Sequence, residues 1–266
     1  MLAGAVWGVG YASYLPQLTV QTIAVAGAYT ISPSLIREYA DTILNDGSHH
    51  FISRANIFLY PRSVLERAIV GYFPRINAAS ISRPTYFSTT ISIDIEERKT
   101  FALWCADESS CYEMDDGGFI FAEAPGMTLE SHPGTQYVFE GGLSDTSVAS
   151  STPIEASILN PIGRSFVSAH LPGLISLLRF LGQAGYDAKG VVVESDQDFS
   201  VPLTSGFTLK ASYGEDAQML ARNLQLVLSS DVLQGKTDQL EYVDLRFGDR
   251  VYYRLKGESE QTSATQ

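Results

Sequence analysis

Cys105 and Cys111 are the only thiols of the chain, and they bracket the polar loop Ala106-Asp107-Glu108-Ser109-Ser110 between two strand-like runs. Facing positions across such a hairpin lie within disulfide range, and an oxidising compartment permits the bond. Registers that offset the pair by one residue are equally natural, so the bonded and free states both stay open. A bond here would close a short loop and sit near the low end of the usual ~2–4 kcal/mol. The alternative chemistry is a redox thiol pair. It is disfavoured, because the spacing is not C-x-x-C and no helix N-terminus is evident to lower a thiol pKa.

The remaining reactive residues do not converge on a reaction centre. The histidines are His49, His50, His132 and His170. None belongs to an H-E-x-x-H or His/Cys zinc pattern, so no metal site is expected. Glu96-Glu97 falls in a strand pattern, which sends adjacent side chains to opposite faces and separates the carboxylates. Asp115-Asp116, followed by Gly117-Gly118, reads as turn chemistry. Gly8 and Gly10 lie in an apolar stretch with no preceding strand, and neither a Walker phosphate loop nor a G-x-S-x-G elbow occurs. No catalytic residue and no cofactor is expected from these patterns. The formal net charge of −12 argues against a nucleic-acid groove, which needs a basic stripe, and against adhesion to anionic lipid; the plainer account is that an acidic surface keeps the chain soluble.

The elements are legible from periodicity. Val20, Ile23 and Val25 precede Gly27 as a strand with a turn at its end. Ser32-Pro33 is a helix start, with serine as cap and proline at the first helical position. Leu35, Ile36, Tyr39, Ala40, Ile43 and Leu44 form one apolar stripe, and Asn45-Asp46-Gly47 stops it. Pro61 opens a second helix, whose stripe is Val64, Leu65, Ala68, Ile69, Tyr72 and Phe73 until Pro74 ends it. Ile91, Ile93 and Ile95 alternate with polar residues as a half-buried strand.

This order, with Val25-Ala26-Gly27 before the first helix, Phe73-Pro74 after the second and Glu97-Arg98 closing the third strand, resembles a POTRA domain. The chain beyond Arg98 resembles the FtsQ/DivIB cell-division proteins. Phe101-Ala102-Leu103-Trp104 opens that part, Asp116-Gly117 turns toward Phe121, and Tyr242-Val243-Asp244-Leu245-Arg246-Phe247 matches the family's late strand. The likeness implies an α+β chain: a small POTRA-like β-α-α-β-β domain over 18–98, then a mostly antiparallel β domain with two helices over 99–256. It implies a non-enzymatic divisome scaffold without a small-molecule substrate. It also implies a single-pass membrane protein, mostly extracytoplasmic and at the division septum, with Met1–Leu15 as the outer part of the anchor. A cleaved signal, or an apolar segment buried against the domain, are the other readings of Met1–Leu15. The implied partners are small coiled-coil membrane proteins of the FtsB/DivIC and FtsL type.

In the second domain, 165–183 carries a helical pattern broken or started at Pro172, and Val191-Val192-Val193 reads as a buried strand. Phe199 to Leu203 and Phe207 to Tyr213 form a hairpin. Met219, Leu220, Leu224, Val227 and Leu228 give another amphipathic helix. The chain then ends in a hairpin through Gly248-Asp249, and 257–266 is expected to be disordered. A final strand often ends a sheet, where unpaired backbone groups accept a partner's strand. Val251, Tyr252, Tyr253, Arg254 and Leu255, with Phe247, are therefore the candidate partner-binding residues. Their aromatics and arginine are of the types enriched at binding hot spots. Two readings from other classes stand beside the scaffold: a thiol factor built on Cys105 and Cys111, and a POTRA-type chaperone module.

Overall fold

The computed structural model describes residues 7–8, 10–46, 51–107, 109–124, 126, 137–144, 160–248 and 250–257, and the chain divides into Met1–Arg98 and Lys99–Gln266. The fold is mixed α+β. His49, His50 and His132, and the tail from residue 258, lie outside the described residues.

The first unit runs β1 (Thr22–Ala26), α1 (Pro33–Leu44), α2 (Arg62–Tyr72), β2 (Ile76–Ser82) and β3 (Thr90–Glu97). The sheet order is β1-β3-β2, with β3 parallel to β1 and antiparallel to β2. Period two sends Ile91, Ile93 and Ile95 to one face, where Ile36, Ala40, Leu44, Leu65 and Ile69 of the helices cover them. The paired stripes straddle the buried line of each helix. Leu35 and Val64 consequently face outward although Ile36 and Leu65 beside them are buried, and Tyr72 is also exposed. Ser32 occupies the N-cap of α1 without capping it, because its hydroxyl pairs with that of Ser34 at 2.7 Å. Gly27 has φ +77°, and a Cβ there would stand 2.1 Å from the Ile95 carbonyl oxygen, so the turn leaving β1 requires glycine.

Glu97-Arg98 fastens both helix connections to the end of β3. The Glu97 carboxylate accepts the backbone N–H groups of Tyr29, Thr30 and Ile31 at 2.9–3.1 Å, which orders the entry to α1. Arg98 donates from Nε to the Pro74 carbonyl at 3.1 Å and from its backbone N–H to Arg75, which orders the exit from α2. Burial pushes the Glu97 carboxyl up, but the N–H donors of Ile31, Thr30 and Tyr29 outweigh it and hold the group below the usual 4.5.

The expected single-pass membrane localisation is overturned. Among the described residues no helix is long and apolar enough to cross a membrane, and about 20 apolar residues in one helix are needed. The segment around Leu15 folds back instead of extending as a rod. The Ser13 hydroxyl donates to the Gly10 carbonyl and accepts the Ser53 N–H. Ile57 and Val20 then cross-link the two segments through backbone bonds to Leu18 and Ala55. Residues 1–6 and 9 of the proposed anchor are outside the described residues.

The second unit is built on a nine-stranded sheet, ordered β14-β13-β12-β11-β10-β7-β4-β5-β6. Its strands are β4 (Ala102–Cys105), β5 (Cys111–Met114), β6 (Ile120–Glu123), β7 (Val138–Glu140), β10 (Gly190–Val193), β11 (Asp198–Pro202), β12 (Thr208–Ser212), β13 (Leu240–Phe247) and β14 (Arg250–Leu255). Most pairings are antiparallel; β4–β7, β7–β10 and β12–β13 are parallel. Helices α3 (Leu171–Gln183) and α4 (Ala217–Leu228) share one core with the sheet, through Leu174, Leu178, Leu181, Leu220 and Leu224. The helical pattern expected from Ser165 begins only at Leu171. Ser165–Phe166 is instead the short strand β9, paired with β8 (Leu143–Ser144).

The hairpin β4–β5 is in register at Cys105 and Cys111, and the two are joined by a disulfide. Asp107 shapes its turn by accepting the Ser109 hydroxyl and the N–H groups of Ser109 and Ser110, bonds that bring its carboxyl down to about 2. Where β7 meets β10, a Cβ on Gly190 would lie 1.8 Å from the Val138 carbonyl oxygen, so the two strands close only on glycine.

Replacing Glu97 by alanine should lower stability by roughly 1–2 kcal/mol, since backbone donors lose an ionised partner. The folded-state pKa is depressed, so the stabilisation is fully present above the unfolded value and disappears as pH falls through the folded value. Urea melts of wild type and Glu97→Gln should therefore differ at neutral pH and converge as pH drops below the usual glutamate range.

Candidate functional site

The nine-stranded sheet is open, and among the described residues β14 is paired with β13 alone. β14 is thus a margin of the sheet, with one side of its backbone directed away from β13. Alternation divides its side chains. Val251, Tyr253 and Leu255 pack with the core beneath α3 and α4, and Tyr252 and Arg254 take the other face. Phe247, at the end of β13, is 53% exposed, and its ring meets Tyr252 edge-on at 5.0 Å.

The face shared by Tyr252 and Arg254 carries a ladder of paired charges. Arg254 donates from Nε to Glu241 Oε2 at 2.7 Å, and a second bond joins Nη2 to Oε1. That hydrogen bond holds the Glu241 carboxyl below its usual range. Tyr242 lies between two cations, Lys210 Nζ at 5.3 Å and the Arg254 guanidinium at 5.2 Å from its ring centre. Arg246 grips Asp244 through Nε and Nη2, reaches Asp198 on β11 at 3.1 Å, and lies 5.7 Å from the centre of the Phe247 ring. Asp198 also accepts the Ser212 hydroxyl at 2.7 Å. These bonds hold long side chains in fixed rotamers beside the margin, which reduces the ordering cost of an incoming chain.

Register irregularities lie between Leu240 and Tyr242 and between Asp244 and Phe247. The first places Glu241 outside the regular alternation, and so brings it to Arg254. No hydrophobic pattern announces such an irregularity, and the Glu241–Arg254 pair is accordingly invisible in the sequence. The alternation of Tyr242, Asp244 and Arg246 with Val243 and Leu245 is visible there; their cross-strand partners are not.

A second concavity, of about 230 Å³, lies under α3 and includes His170, Phe199, Tyr213 and Glu215. His170 stacks on Tyr213 with ring centres 4.2 Å apart. Burial pushes the Tyr213 hydroxyl up to about 12, which makes it a weak proton donor at neutral pH. Among the described residues no cluster of His, Cys, Asp and Glu could hold a metal ion. Compared with known proteins, the chain matches no protein-family model and no curated protein.

The two adjacent tyrosines should respond differently to the same change. Tyr253→Asp sets a carboxylate against the core and should cost roughly 2 kcal/mol. Tyr252→Asp, on the outer face, should cost less than about 0.5 kcal/mol. Equilibrium urea unfolding of the two variants checks this.

Proposed function

We propose that this chain is a non-enzymatic scaffold of bacterial cell division, of the FtsQ/DivIB type, whose first unit is POTRA-like. It takes up a strand of a partner at β14. The partners are small coiled-coil division proteins of the FtsB/DivIC and FtsL type. The observation that carries this reading is the position of β14 at the end of the sheet. The element order of the first unit, strand-helix-helix-strand-strand, supports it, as do the roles of Glu97 and Arg98 at the helix connections.

In this reading the backbone of β14 supplies the bonds and its outward side chains supply the selectivity. Phe247 and Tyr252 offer an aromatic pair at one end of the strand, and Arg254 with Glu241 offers a charged pair toward the other. The partner's alternate residues lie over these groups. Tyr253, held in the core, fixes the strand without touching the partner.

The test is a titration of the native chain with a purified FtsB/DivIC-type fragment, alongside a copy of the binding segment N-methylated at alternate residues. Strand addition requires the methylated copy to lose binding. Tyr252→Asp combined with Phe247→Asp should weaken binding at least about tenfold with an unchanged melting curve. Undiminished binding of methylated segments in both registers would overturn the proposal.

A further inference from the structure

The first unit carries an exposed aromatic surface, centred on a cation that has no carboxylate partner among the described residues. Phe58, which follows the buried Ile57, meets Tyr86 and Phe87 from the connection between β2 and β3, and Tyr60 stands nearby. Phe58, Tyr86 and Phe87 are 39%, 71% and 74% exposed, and their ring centres lie 5.5–5.9 Å from one another. The Arg83 guanidinium stands among them, 5.5 Å from the Phe58 ring centre, 5.7 Å from Tyr86 and 6.0 Å from Tyr60. An open groove of about 590 Å³ runs along Arg62, Arg83, Pro84 and the rings of Phe58, Tyr60 and Tyr86, with Phe87 packed against Phe58 and Tyr86 beside it.

Three exposed aromatic rings in contact are unusual on a surface without a partner. The charges say which partner. Among the described residues Arg83 makes one hydrogen bond, from Nη1 to the Tyr86 carbonyl at 3.0 Å, and no carboxylate pairs with it. The neighbouring arginine of the groove, Arg62, is committed to Glu66 at 2.8 Å, and Glu66 also accepts the Ile81 N–H. Arg83 therefore retains guanidinium donors in a frame of rings, and its planar fork favours a forked bond to a carboxylate. Elsewhere the chain is acidic, with a net charge of −12. An acidic segment is thus repelled by most of the surface and attracted here.

We infer that the Phe58–Arg83–Phe87 surface binds an extended acidic segment of a partner protein, a carboxylate on Arg83 and an adjacent apolar or proline side chain on the rings. The apolar residue gives affinity by covering Phe58 and Phe87, and the carboxylate selects the segment. This surface is on the first unit and owes nothing to β14.

The experiment uses the full chain and short fluorescein-labelled peptides followed by anisotropy. One peptide alternates glutamate with proline and leucine; its twin carries glutamine for glutamate. The native chain should prefer the acidic peptide by about tenfold, the scale of one charged hydrogen-bonded pair. Arg83→Glu and Arg83→Gln should both remove that preference, and Phe87→Ala should weaken both peptides. Tyr252→Asp should leave the preference intact. Equal binding of the twins to the native chain overturns the inference. So does a preference that survives in whichever Arg83 variant keeps the native circular-dichroism spectrum.

Discussion

A row of strands that does not close must stop, and its last member is left with backbone groups facing outward. That constraint organises the second unit. One face of the sheet is covered by α3 and α4, and the other carries the ladder from Asp198 through Arg246 to Arg254. β14 lies where both faces run out. An unguarded margin would also pair with copies of itself. The irregular registers beside it and the charge of Arg254 restrain such pairing, because a bent, charged edge aligns poorly with its own copy.

In the first unit the organising contact is smaller. A single carboxylate, Glu97, gathers the N–H groups of the residues that lead into α1, while the next residue, Arg98, fixes the peptide after α2. Both connections are tied to the central strand β3, so the helices dock on the isoleucine face at set angles. The connection between β2 and β3 leaves from the opposite end of that strand and is free to carry Arg83, Tyr86 and Phe87 outward.

Much of this arrangement is legible from residues in order. The isoleucine alternation marks β3, the paired stripes mark α1 and α2, and the final hairpin through Gly248 marks β13 and β14. What escapes depends on partners distant in sequence. β7 has three residues, too few to show a period, yet it holds β4 and β10 together by parallel pairing. Phe166 continues an apolar helix pattern but pairs with Leu143. Adjacent tyrosines at 252 and 253 look equivalent until register sends one to the core. The apolar start of the chain suggests a rod through lipid, whereas Ser13 and Asn56, both buried, hold residues 10–20 against 51–57. Hydropathy alone does not register such a backbone clasp.

Gly190 gives the sheet a seam. It faces Val138, and the pair unites two half-sheets, one running from β7 to the cystine hairpin and the other from β10 to β14. A lone methyl group at that point would wedge the halves apart, although it lies several strands from β14. The closeness of the two strands therefore restricts residue 190 to glycine, and a side chain there would disturb the whole sheet without touching β14.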